Sequence, residues 1–78
     1  MVTEAREQEL MNKAVQALEA GGIATMPRAE ASAYLTGVMT LAFELLRDVE
    51  TEKYIRGWLD SAIADLAKRP TFHIRRPS

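Results

Sequence analysis

The run YLTGVMTLAFELL, residues 34–46, holds a single charged side chain, Glu44, in a chain that is 27% charged overall. So much apolar surface in one place suits a membrane span, a private core or a face made to be covered by another protein. A span needs about twenty predominantly apolar residues. This run has thirteen and is followed by Arg47 and Asp48, so the membrane reading fails on length and on charge. Placed on a wheel at about 100° per residue, the apolar positions from Leu41 round to Phe43 spread over roughly 200°, about twice the stripe of an ordinary surface helix. Tyr34, Val38, Leu41, Phe43 and Leu45 are the candidate partner or dimer contacts on this helix.

The rest of the chain reads as two further helices. Leu10, Met11, Ala14, Val15 and Leu18 follow the i, i+3, i+4 rule and predict a first helix over 3–20. Thr3 suits its N-cap, Glu4 and Glu7 suit the positive dipole end, and Gly21-Gly22 provides a stop, because glycine enters the left-handed region without a Cβ penalty. Pro27 fits the first turn of the second helix, predicted over 27–47, with Thr25 or Met26 at its cap. Asp48 or Thr51 suits the cap of a third helix over 51–68, ended by Lys68, Arg69 and Pro70. Its apolar side, which includes Tyr54 and Trp58, covers about half the circumference, so these two join the candidate contacts. The expectation is an all-α three-helix bundle in residues 1–70 with an extended basic arm at 71–78.

Seventy-eight residues without a cysteine leave little room for self-sufficiency. A chain this short removes only about 60% of its unfolded surface on folding, and disulfides and thiolate metal sites are excluded. Association is the remaining common reinforcement. A two-fold homodimer with the second helix packed on its symmetry mate is the simplest form. The competing reading has the arm fold back, with Phe72 and Ile74 covering the open flank.

Charge is unevenly placed. Residues 1–67 hold eleven acids and six bases, whereas 68–78 hold four bases and no acid. An acidic body is a poor phosphate-binding surface, but Lys68, Arg69, Phe72, His73, Arg75 and Arg76 form a basic arm suited to an acidic protein face or to nucleic acid. The start of the chain has no apolar h-region, which predicts a cytoplasmic protein.

Catalytic chemistry finds little to work with. His73 is the sole histidine, and a general base needs a rigid pocket to set its pKa. Asp60 and Asp65 are five apart and point to different faces. Glu44 and Asp48 are neighbours on a helix surface, but a hard cation wants six or more oxygens. No phosphate-binding loop, zinc-protease or EF-hand pattern occurs. A DNA-reading third helix would need basic residues in its first turns, where Glu50, Glu52 and Lys53 stand.

The expected function is therefore non-catalytic, with no cofactor and no metal. The chain is expected to act as a homodimeric stoichiometric inhibitor or adaptor on a larger protein, in the manner of small phage-encoded or antitoxin-like blockers by analogy. A nucleic-acid-associated regulator using the arm is the alternative, and a small-ligand bundle lined by Tyr34, Tyr54 and Trp58 is a further one.

Overall fold

The computed structural model describes residues 1–70. It is all-α, with α1 at Glu4–Ala20, a 3-10 turn at Ile23–Thr25, α2 at Arg28–Val49 and α3 at Glu52–Asp65. No strand occurs among the described residues. The arm predicted at 71–78 lies outside them.

Local chemistry sets most of the boundaries. The Thr3 hydroxyl accepts from the Arg6 N–H at 3.2 Å, and the Thr51 hydroxyl accepts from the Tyr54 N–H at 3.1 Å, so each relieves one orphan donor of a helix start. Gly22 takes φ +88°, and its N–H returns to the Glu19 carbonyl at 3.0 Å. That left-handed step ends α1 and turns the chain into the 3-10 segment.

The second helix runs two residues further than expected, to Val49, and three other details differ. Thr25 does not cap α2: its hydroxyl donates to the Gly22 carbonyl at 3.0 Å. Pro27 stands just before α2 instead of inside it, and its carbonyl accepts from the Ala31 N–H at 2.9 Å. Finally, α3 stops at Asp65 because the Leu66 N–H reaches Ile63 and the Lys68 N–H reaches Asp65, the tighter i→i−3 spacing that closes many helices.

The chain divides into two compact units. The first, Met1–Ala31, contains α1, the 3-10 turn and the first turn of α2. Ile23 is 1% exposed and Ala31 fully buried, while Val15, Leu18 and Met26 are half-buried. The 3-10 turn lies against α1. Leu10 and Met11, nearer the start of α1, stay exposed, so only the end of the predicted α1 stripe is covered.

The second unit runs from Ser32 through α3. Only Glu50 and Thr51 separate α2 from α3, which makes it a helical hairpin in connectivity, with the two helices splayed along an open cleft. Among the described residues, Ile55 is its one buried large side chain, at 8% exposure.

Gly37 lies inside α2, and a Cβ built on it meets nothing within 4 Å. No described residue requires a glycine there. A mid-helix glycine costs about 0.8–1.0 kcal/mol relative to alanine. Gly37→Ala is expected to raise stability by about 0.5–1 kcal/mol in urea unfolding. A loss instead would mean that another chain approaches the helix backbone at this point.

Candidate protein-contact surface

The hairpin of the second unit carries the site. Ten of its large apolar side chains remain between 40% and 82% exposed, around a single buried isoleucine. Their distribution follows from helix periodicity. On α2, Met39, Phe43 and Leu46 turn toward α3 and line a cleft of 320 Å3 with Tyr54, Trp58 and Leu59. Ile55 also lines it, and no charged residue does. The cleft is therefore a seam whose two walls are apolar and whose mouth is open.

A second apolar surface lies on the other side of α2. Leu41, Leu45 and Val49 follow one another at i, i+4 and i+8 and are 66%, 69% and 73% exposed. Helical geometry sets this ridge roughly 130° from the cleft-facing residues. One packed helix covers a stripe of about 100°, so a single neighbouring helix cannot cover both.

Polar groups around these faces are largely satisfied locally. The Thr36 hydroxyl donates to the Ser32 carbonyl at 2.8 Å and the Thr40 hydroxyl to the Thr36 carbonyl at 2.9 Å, a back-bonding pattern that removes their need for an outside partner. Arg47 pairs with Glu44 at 3.3 Å, Arg56 with Glu52 at 2.6 Å and Lys68 with Asp65 at 3.3 Å. These pairs are exposed and add at most about 0.5 kcal/mol each. Their consequence is electrostatic: the charges beside the apolar faces are neutralised in place. Arg47 also stands 5.7 Å from the centre of the Phe43 ring, where a guanidinium is attracted to the π face.

Of the candidate contacts named from the sequence, Leu41, Phe43, Leu45, Tyr54 and Trp58 are exposed, whereas Tyr34 and Val38 are half-buried. The cleft brings Phe43, Tyr54 and Trp58 together; Tyr34 is not among its lining residues. Met39, Leu59 and Val49 belong to these surfaces as well. They lie within the predicted apolar arcs, so the wheel contained them, but it gave no reason to rank them above their neighbours. Lys68 and Arg69 are exposed beyond α3; Phe72, His73, Arg75 and Arg76 lie outside the described residues.

Among the described residues, no three His, Cys, Asp or Glu side chains are grouped to hold a metal ion, and no helix is long and apolar enough to cross a membrane. Comparison with protein-family models, curated proteins and solved structures finds no match to this chain.

Proposed function

We propose that this chain is a non-catalytic protein-interaction module, a cytoplasmic homodimer that acts as a stoichiometric inhibitor or adaptor by docking on a larger protein. One observation carries the reading: ten large apolar side chains stay open in a hairpin that buries only Ile55. Covering a Leu or Phe contributes about 1.5–3 kcal/mol. Two such side chains therefore weigh heavily against the roughly 5 kcal/mol of a small domain. An exposed apolar surface on this scale marks an interaction site. The chemistry agrees with a binding role, since the chain has one histidine and no cysteine.

The test is affinity capture from the source cell, with the native chain and with Leu41→Glu. The reading expects a protein retained in stoichiometric amount, stable at about 0.5 M salt because apolar contact resists screening, and lost with the variant. Retention of nothing by the native chain contradicts it.

A second reading rests on the four bases of the last eleven residues, which suit a nucleic-acid-associated regulator. The two readings separate on salt and on the arm. Arg75→Ala with Arg76→Ala is expected to leave helicity unchanged and to weaken capture of the protein partner by removing an ionic anchor. A nucleic-acid gel shift that falls steeply with salt and disappears on removing residues 71–78 would favour the regulator.

A small-ligand role is the weakest of the three. The cleft has the volume of a ligand pocket, but the Tyr54 hydroxyl and the Trp58 indole N–H are the only side-chain O–H and N–H groups among its lining residues, and ligand sites carry several convergent polar groups.

A further inference from the structure

Resting on the interaction-module reading, we infer that its two apolar faces have different occupants. The α2–α3 cleft is closed by the hairpin of a second copy, in a two-fold four-helix bundle. The Leu41–Leu45–Val49 ridge stays outward for the larger partner.

The argument begins with persistence. A helical hairpin with one buried large side chain, Ile55, has too little core to hold its own fold. Whatever covers its cleft must be present whenever the chain is folded. A target is met only some of the time, whereas a second copy is always available. Obligate homodimers behave in this way, with no stable folded monomer.

Area supports the same occupant. Met39, Phe43, Tyr54, Trp58 and Leu59 keep 40% to 67% of their surface open. At about 200 Å2 for each large side chain, they hold about 500 Å2 of open surface per copy, divided between the cleft and two adjoining faces, where Phe43 and Leu59 stand beside Arg47 and Arg56 and where Tyr54 and Trp58 stand beside Lys53. A second hairpin that covers the cleft and these adjoining faces would bury about 1,000 Å2 from these residues in the two copies, the lower bound of a specific interface.

Charge points the same way. From Ser32 to Pro70 there are six acids and five bases, and three of the bases are already paired with acids three or four residues away. A second copy meets no like-charged block, and no unbalanced field selects a strongly charged partner. Two hairpins packed at the small crossing angle of a four-helix bundle would bring apolar walls together and leave the ion pairs at the rim. The ridge, roughly 130° away on α2, is then not needed for folding and remains free.

The test is sedimentation equilibrium at micromolar concentration on the full chain and two variants. The native chain and the ridge double variant Leu41→Glu with Leu45→Glu are expected at twice the 8.7 kDa chain mass, and Leu59→Glu at the mass of one chain. Because Leu59→Glu can also unfold the hairpin, urea unfolding of the native chain at several concentrations provides a second readout. Each tenfold dilution should lower its apparent stability by about 1.4 kcal/mol.

A native monomer, or a midpoint that ignores concentration, overturns self-association through the cleft. A dimer abolished by the ridge variant and kept by Leu59→Glu overturns the assignment of faces. A native monomer also removes the homodimer from the proposed function, but neither result removes docking on a larger protein, which fails separately if the native chain retains no partner.

Discussion

Ile55→Ala is expected to leave the α2–α3 hairpin largely unfolded at 25 °C, seen as a loss of the helical circular-dichroism signal at low micromolar concentration. Ile55 is the one buried large side chain among the described residues of its unit. Truncating a buried isoleucine to alanine costs about 2–5 kcal/mol, through lost transfer energy and the cavity left behind. The total stability of a chain this size is of order 5 kcal/mol, so a single truncation consumes most of it. Asp60→Ala, an exposed change on the same helix, should stay within about 0.5 kcal/mol of the native chain. If Ile55→Ala proves as mild as Asp60→Ala, Ile55 is not the centre of that unit.

Phe43→Glu is expected to weaken self-association by at least about a hundredfold, or about 2.7 kcal/mol. Phe43 is 40% exposed, so in an isolated copy a glutamate there still reaches water. Once a second hairpin closes the cleft, the carboxylate would face Met39, Leu46 and Trp58 among the lining residues, and stripping its hydration costs several kcal/mol. The substitution also removes the ring beneath Arg47 and places a second carboxylate beside Glu44. The penalty therefore arises on association, and any loss of folding follows from loss of the second copy. Light scattering over a dilution series would measure it, and an unchanged dimer would place Phe43 away from the interface.

The helices were legible in the sequence wherever one residue's chemistry decides a boundary. Thr3 and Thr51 announce their helix starts through a hydroxyl within reach of a free N–H, and Gly22 announces a stop through its tolerance of positive φ. The 3-10 turn at Ile23–Thr25 was not legible, because three residues are too few to show a period. Nor was the tightening after Asp65, where the apolar pattern runs on through Leu66 although the α-helical hydrogen bonding has ended.

The candidate surface was half legible, for a geometric reason. A wheel gives the angle of a side chain about the axis but not its place along it. Leu45 falls on the wheel between Tyr34 and Val38, yet those two are half-buried and Leu45 is 69% exposed. Periodicity revealed that α2 has more apolar circumference than one neighbour can cover. Where along the helix the cover ends depends on contacts between residues distant in sequence, and these leave no mark on the period of a single helix.

The central claim is that the exposed apolar faces of the hairpin are covered by another chain in solution, and Trp58 can test it without any mutation. It is the sole tryptophan and is 56% exposed in the single chain. At tens of micromolar, its emission should be blue-shifted and shielded from acrylamide quenching. Dilution below the dissociation constant should shift the emission to the red and restore quenching. A tryptophan that is open to acrylamide at every concentration, in a chain that keeps its full helicity, would contradict the account.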